Sequence, residues 1–468
     1  MPAEGAERCG EGRREGGIEP FFVVQDMLTA EARYTFRNGV HPPQFKEATH
    51  LRPIERFPFV REYVMPLSQH IGAPTASVVQ PGQQVRRGEL IAKPGGFVSI
   101  AMHAPVTGKV TAVEPRFHPN GKMMPSIVIE ADLYSSQKVA AAPPVEPKSL
   151  SNEEMVRHVQ LGGLVGLGGA AFPSHVKLSL PEGRTIRHVM ANGCECEPYL
   201  TCDDRLMAER PEAVLRGTEI LVEELDAEHG YIGVEANKPE AIQALRKAAR
   251  PPVEVMVLKV KYPQGAEKML IDAVLKREVP SGKLPLDIEV LVNNVATTAA
   301  LADWFDHGIP LIERVVTVSG PGISRPRNLL VPLGTPVSTV VEYCGGLHEE
   351  TRQVIMGGPM MGMAQKSLDV PVMKGTSGVL ALTEVLPELA VEYPCIRCAR
   401  CLEACPIFLN PTRLAQLARA DMVEELQDYH ILDCFECAAC SYICPSNIPL
   451  VQWIRMGKAM VREAQKKP

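Results

Sequence analysis

The sequence predicts a multidomain α/β chain that ends in a separate helical domain. Three observations predict it. Residues 64–130 alternate short β-like runs with Gly and Pro, as in VVQPGQQVRRGELIAK and HAPVTGKVTAVE. Residues 185–305 alternate strand-like and helix-like stretches, the pattern of an α/β layer fold. Residues 395–445 carry two cysteine runs, and the spacer between them is long enough for two helices. At 468 residues the chain has material for three or more cores.

Composition narrows the class. The formal charge of -6 gives no footprint for nucleic acid. Eight of the thirteen cysteines fall in the two C-terminal runs, and the others form no disulfide framework, so a reducing compartment is expected. Residues 1–37 read as a disordered lead. Its first twenty residues are rich in Gly, Glu and Arg without the apolar centre of a signal peptide. No stretch reaches 18 consecutive apolar residues, so no spanning helix is expected.

Residues 38–135 form the next region. NGVHPPQF, 38–45, marks an ordered turn through Pro42 and Pro43. A turn at Pro81 and Gly82 precedes RRGELIAK, and a turn between Pro105 and Gly108 leads into KVTAVE. The pattern resembles the biotinyl/lipoyl-like barrel-sandwich family. There a lysine at a hairpin tip carries a cofactor. Here Met102, His103, Ala104 and Pro105 occupy that neighbourhood, so a structural or docking role is expected and His103 reads as packed. Residues 136–150 are Ala- and Pro-rich and read as a linker.

The α/β domain is expected over 151–310. Ser151 and Glu154 form a capping-box pair for its first helix. GGLVGLGGAAFPSHVKLSL follows, with Gly162, Gly163, Gly166, Gly168 and Gly169 inside eight residues. Successive bare amides make a concavity for phosphate, and Lys177 adds a charge. The loop lacks the Lys-Ser/Thr ending of a Walker A motif and does not sit cleanly after a strand. From the residues alone, a phosphate pocket and a tight structural turn both stay open. The next strand ends in Asn192-Gly193-Cys194-Glu195-Cys196-Glu197, and strand ends are where α/β sites lie. Cys194, Cys196 and Cys202 invite a metal reading, but no fourth ligand is evident. A helical stretch opens at Asp203 and runs to residue 225. Strands at 231–236, 253–259 and 288–293, with helices between and after them, complete the domain.

Residues 311–365 hold two further strands, 314–320 and 328–331, and a helix from 335. The methionines of GGPMMGM, 357–363, fit an adaptable core or the edge of a cofactor. Residues 366–394 are expected to be a strand at 378–383 that returns toward the preceding α/β domain, then a linker.

Residues 395–468 are organised by C-x2-C-x2-C-x3-C-P, written twice: Cys395, Cys398, Cys401, Cys405, then Cys434, Cys437, Cys440, Cys444. This is the ligand spacing of a pair of [4Fe-4S] clusters in which the fourth cysteine of each run serves the other cluster. Cluster one then takes Cys395, Cys398, Cys401 and Cys444. Cluster two takes Cys434, Cys437, Cys440 and Cys405. Zinc also binds four thiolates, but its spacings rarely take this form. The long spacer predicts a helical ferredoxin domain rather than two hairpins.

GVHPPQFK, GLGGAAFPSHVKL, NGCECEPYLTCDDRLM, YPQGAEKML, GGPMMGM and the two cysteine runs together carry a family likeness. From residue 38 to residue 459 the chain resembles the RnfC family. That family belongs to the Rnf electron-transport complex, the ion-translocating ferredoxin:NAD oxidoreductase. The middle of the chain also resembles the NADH- and FMN-binding subunit of respiratory complex I. The resemblance implies a Rossmann-like FMN/NADH domain and a soluble-ligand-binding β-grasp domain over 311–365. It implies FMN and NAD(H) at Gly166, Gly168, Gly169, Ala170 and Lys177, at Asn192, Glu195 and Glu197, and at Asn293 and Asn294. Glu195 and Glu267 are the expected catalytic carboxylates, orienting the nicotinamide nucleotide. Cys194 stands where the complex I pattern has an acid.

The resemblance further implies an electron-input subunit, peripheral on the cytoplasmic face of a bacterial inner membrane. Its implied partners are membrane subunits and an iron–sulfur subunit, with ferredoxin reached indirectly. Two alternatives stand beside it: a soluble NAD-dependent flavin/iron–sulfur oxidoreductase subunit, and a non-catalytic electron-wiring scaffold.

Overall fold

The computed structural model describes residues 27–384 and 391–466. Most of the expected lead, 1–37, and part of the expected linker before the clusters lie outside the described residues. Four sheets and one helical domain make up the rest.

Strands β1 (Ile54–Arg56), β2 (Glu62–Pro66), β3 (Ala76–Ser77), β4 (Gln84–Val85), β5 (Leu90–Lys93), β6 (Met102–His103), β7 (Gly108–Phe117) and β8 (Met123–Ala131) come first. Two antiparallel sheets, β2-β8-β7-β4 and β3-β5-β6, form the barrel sandwich. Its core is Tyr63, Met65, Ile91, Met102, Ile127 and Ile129. Glycine and proline break the chain into short strands, and alternate side chains turn inward. Within the region expected to hold the sandwich, its paired strands run from β2 to β8. Strand β1 leaves it and pairs in parallel with a strand some 270 residues later.

The α/β domain is built on β9 (His188–Gly193), β10 (His229–Glu235), β11 (Val253–Leu258) and β12 (Val290–Asn294). All pair in parallel, in the order β11-β10-β9-β12. Both faces are covered, so adjacent strand residues are buried on opposite sides. Val189 and Leu291 face the helices Asn152–Leu161, Pro211–Glu224 and Val295–His307, while Met190 and Val292 face Glu267–Leu275. The expected Ser151–Glu154 capping box is formed. The helical stretch expected from Asp203 to residue 225 is two helices, Cys202–Glu209 and Pro211–Glu224. Pro211 cannot continue the first and suits the first turn of the second.

The β-grasp sheet holds β13 (Glu313–Ser319), β14 (Arg327–Pro332), β15 (Gln353–Met356), β16 (Met363–Ala364) and β17 (Gly378–Leu382), with β1 at its edge. Strand β17 lies inside this sheet, parallel to β13 and antiparallel to β15, and its Leu380 and Leu382 pack with Leu200 of the α/β domain. Its five residues GVLAL are all buried, which is what a central strand requires.

The C-terminal domain is helical. Pro411–Arg419, Val423–Asp428 and Leu450–Ala464 pack through Leu414, Leu417, Leu426, Ile454 and Val461. Asn410 caps the first of these by accepting from the Arg413 amide at 3.0 Å. Among the described residues, no helix is long and apolar enough to cross a membrane.

Candidate functional site

The parallel sheet sets the place. The chain runs outward from β9 through β10 to β11, then jumps back to lay β12 on the other side of β9. That reversal opens a crevice at the carboxyl ends of β9 and β12, the usual ligand position in open α/β sheets. Asn192 and Asn294 are register partners there, as are Ala191 and Asn293.

The glycine loop folds over this crevice. The Gly166 amide donates to Phe172 O at 2.8 Å, and the Ala171 amide returns to Gly166 O at 3.1 Å. Thr297 Oγ1 accepts from the Leu167 amide at 2.9 Å. Between these ties Gly168, Gly169 and Ala170 stay exposed. A Cβ on Gly168 would meet only Asn294, at 3.6 Å or more. Gly169 has φ +104 and open space around its missing Cβ. The loop is thus an open cradle of backbone that side chains would fill, which fits a phosphate group. Asn294 joins it to the acidic side. Its Oδ1 accepts from the Ala296 amide at 2.8 Å, and its Nδ2 donates to Asp203 Oδ2 at 2.6 Å.

The other expected residues are placed as follows. Asn192 Nδ2 donates to Gly265 O at 2.8 Å, tying β9 to the loop that carries Glu267. Lys177 is not a free cation. Its Nζ donates to Glu267 Oε1 at 2.5 Å and to Val292 O at 2.8 Å. The Glu195 carboxylate caps the helix Cys202–Glu209, accepting from the amides of Asp203 at 2.8 Å and Asp204 at 3.1 Å and from Cys202 Sγ at 3.2 Å. Glu197 turns away from the glycine loop. Its carboxylate accepts from the amides of Met360 and Met361 at 3.0 and 2.9 Å, so the methionine turn is held through its backbone. Met361 and Met363 are about half exposed and are not core. Cys194, Cys196 and Cys202 contact different groups, namely Gly233 O, the Gly265 amide and Glu195, and share no common centre.

Burial raises the acids here. Asp203 is pushed up to about 7 by desolvation and then by Glu195, and Glu197 to about 7 by desolvation against the two methionine amides. Two buried lysines hold the loop between β9 and this helix. Lys46 Nζ donates to the carbonyls of Glu195, Glu197 and Leu200, and Lys238 Nζ to Cys194 O at 2.7 Å. Sequence reasoning passed over Lys46, Lys238 and Asp203. The one available signal was Lys46 closing the GVHPPQFK string.

The two cysteine runs build two cavities. One is lined by Cys405, Cys434, Cys437 and Cys440, the other by Cys395, Cys398, Cys401 and Cys444. Each cavity draws three thiols from one run and the last thiol of the other run, and four thiols around one cavity fit a four-iron cluster. Both runs share one backbone device: Arg397 and Ala399, like Glu436 and Ala438, take positive φ between 55° and 62°. These residues curl the chain so that successive thiols face inward. Nothing in their types announces it, since glycine is the usual residue there.

The second-run cavity is the one against the α/β domain. Tyr262, 1% exposed, donates its hydroxyl to Cys437 O at 2.7 Å. Asn38 Nδ2 donates to Cys405 O at 3.0 Å, and Cys196 packs in the same apolar cluster as Cys437. By contrast Cys395 and Cys398 are exposed.

Comparison with known proteins places this architecture. The chain is 45% identical over 432 residues to the C component of the proton-translocating ferredoxin:NAD(+) oxidoreductase complex of Clostridium ljungdahlii, covering 92% of this chain and 94% of that one. The chain belongs to the RnfC family of ion-translocating ferredoxin:NAD oxidoreductase complexes. The C component of the Na(+)-translocating complex of Acetobacterium woodii is 42% identical over 92% of this chain and 98% of its own. The C component of the ion-translocating oxidoreductase complex of Rhodobacter capsulatus is 40% identical over 92% and 84%. Four family models match in order along this RnfC-family chain. They are the RnfC barrel sandwich hybrid domain at 34–134, the Nuo51 FMN-binding domain at 159–303, the SLBB domain at 315–364 and the 4Fe-4S dicluster domain at 393–448. The RnfC-family chain is therefore a flavin- and iron–sulfur-binding architecture, with the ends of β9 and β12 inside the FMN-binding match and all eight cysteines of the two runs inside the dicluster match.

Proposed function

We propose that the chain is the electron-input subunit of an ion-translocating ferredoxin:NAD oxidoreductase, linking NAD(H), through FMN, to two [4Fe-4S] clusters. The observation that carries this reading is the direct hydrogen-bonded contact between the β9/β12 crevice domain and the second cysteine cavity. Gly168, Gly169 and Ala170 would hold the phosphate of FMN, with Gly166 and Thr297 fixing the loop and Asn294 beside it. Bound FMN supplies the conversion between a two-electron hydride donor and one-electron carriers.

The chain's own groups position and insulate. Asn192 and the Lys177–Glu267 pair tie the carboxyl end of the sheet to the 262–267 loop, so nucleotide and flavin would meet over fixed backbone. Glu195 would act through the helix it caps, and Glu197 through the methionine turn. The cluster held by Cys405, Cys434, Cys437 and Cys440 would be next to the flavin, because Tyr262 and Asn38 seat that half. The cluster held by Cys395, Cys398, Cys401 and Cys444 would be the exit, because two of its thiols face outward. Membrane subunits and an iron–sulfur subunit of such a complex would be its partners, with ferredoxin reached indirectly. Its place would be peripheral, at the cytoplasmic face of the membrane.

The test is chemical. The isolated chain should hold one flavin, about eight irons and matching labile sulfide, the content of two cubanes. NADH should bleach flavin and cluster absorbance in turn. Full iron with no affinity for FMN or NADH would leave only an electron-wiring role.

A further inference from the structure

Two cations from outside the flavin-binding region end beneath its glycine loop. Arg314, on β13, is 3% exposed. Its Nη2 donates to Leu167 O at 2.5 Å, its Nη1 to Lys374 O at 2.8 Å and its Nε to Thr376 O. Lys374, in the turn before β17, is 0% exposed, and its Nζ donates to Gly163 O at 2.5 Å. The Lys374 amide donates to Gln69 Oε1 of the barrel sandwich at 3.1 Å. A Cβ on Gly375 would stand 3.3 Å from Gly169 O, so this turn lies directly against the open glycine.

Each of these side-chain hydrogen bonds ends on a backbone carbonyl, which does not neutralise a cation. Arg314 lies in the field of Asp203 and Glu195. Among the described residues, Lys374 has no such relief. The groups that feel its charge are His70 and His103, both held neutral by burial, and desolvation alone holds Lys374 down to about 7. Burial without a counter-charge disfavours the ammonium, and an anion bound nearby would favour it. The lysine on the loop's own side, Lys177, is already paired with Glu267. The FMN-binding match ends at residue 303, so neither Arg314 nor Lys374 falls within it.

We propose that Lys374, seated by Arg314, supplies positive charge from the β-grasp domain to the phosphate end of the flavin, so that the FMN site is completed across a domain boundary. This rests on the flavin reading above. The anion would sit on the open 168–170 side of the loop, while Lys374 lies behind the loop with its Nζ on Gly163 O, and the two would attract through protein rather than water.

Riboflavin, which is FMN without the phosphate, separates charge from packing. The probe pair is FMN and riboflavin, titrated into the full iron-loaded chain stripped of flavin. Lys374→Met should weaken FMN about ten-fold and leave riboflavin within about two-fold of wild type. Lys374→Gln keeps a donor for Gly163 O but no charge, and should behave like Lys374→Met. Equal weakening of both flavins in the two variants would overturn the proposal, because packing would then explain the loss. So would wild-type FMN affinity in Lys374→Gln, because the hydrogen bond alone would then suffice. If the wild-type chain binds neither flavin at full iron content, the flavin reading itself fails and takes the proposal with it. The wild-type titration therefore tells the two failures apart.

Discussion

The Tyr262 hydroxyl donates to the backbone carbonyl of Cys437 at 2.7 Å, joining the loop that carries Glu267 to a thiol-bearing run of the helical domain. The bond is buried, so removing it leaves a carbonyl without its donor at a domain junction. Tyr262→Phe keeps the ring and should cost about 1–3 kcal/mol in the seating of the two domains. NADH should still bleach the flavin at the wild-type rate, while bleaching of the clusters slows. Stopped-flow traces at the two wavelengths check this. Equal rates in wild type and variant would mean the junction does not set the transfer step.

The two cavities fix a second expectation. Cys405→Ser should damage the cluster held by Cys434, Cys437 and Cys440, although Cys405 lies in the first run. Cys395→Ser should damage the other, since it lines the cavity with Cys398, Cys401 and Cys444. Electron paramagnetic resonance of the two dithionite-reduced variants should show complementary losses. If Cys405→Ser and Cys395→Ser lose the same signal, the crossed arrangement is refuted.

Much of this was legible in the residues because spacing and periodicity are local. The cysteine runs, the capping box at Ser151 and Glu154 and the strand–helix alternation each depend on neighbours in sequence. What was not legible depends on distant partners. Strand β17 looks like any apolar run, and only its place between β13 and β15 makes it central. Glu195 and Glu197 were readable as acids at a strand end. Where their carboxylates point depends on the amides of Asp203, Asp204, Met360 and Met361, which no pattern in the string reveals. Lys46 lies some 150 residues from the carbonyls it binds.

Lys46 gives the third expectation. One buried ammonium holds the carbonyls of Glu195, Glu197 and Leu200. Lys46→Met would fill the volume but release all three, and charged hydrogen bonds are worth about 1.5–3 kcal/mol each. The variant should lose on the order of 3 kcal/mol or more in denaturant unfolding, and its NADH affinity should fall with it. An unchanged unfolding midpoint would mean that these carbonyls find other partners.

Acid–base linkage gives the fourth. Burial pushes Glu197 from its ordinary 4.5 to about 7. Below 4.5 the carboxyl is protonated in both folded and unfolded chains, and its contribution to stability is fully present. Between 4.5 and about 7 the unfolded chain ionises first, so stability falls as pH rises. Above about 7 both states are ionised and the loss levels off, at on the order of 3 kcal/mol. Asp203 and Asp204, also pushed up to about 7 by burial, act in the same sense. Glu197→Gln should flatten part of this slope. Unfolding midpoints of wild type and variant at about pH 5.5 and about pH 8 measure the difference. Parallel slopes would show that Glu197 is ionised throughout.

The glycine loop gives the fifth, and it separates two adjacent residues. Gly168 would place a Cβ no closer than 3.6 Å to Asn294, an ordinary contact, whereas Gly169 has φ +104, where a side chain strains the backbone whatever the space. Gly168→Ala should therefore fold normally and keep much of its flavin. Gly169→Ala should cost about 1 kcal/mol or more in backbone strain and shift the amides of the cradle. Gly168→Val adds bulk at the open edge beside Asn294, where the flavin phosphate would approach, and should empty the site without unfolding the domain. In all three, the two clusters should still be reduced by dithionite, because the helical domain has its own core of Leu414, Leu417, Leu426 and Ile454. Flavin stoichiometry, thermal unfolding and iron content on the same preparations decide it. Full flavin in Gly168→Val would move the phosphate away from this loop. Loss of iron along with flavin would mean that the domains do not fold independently.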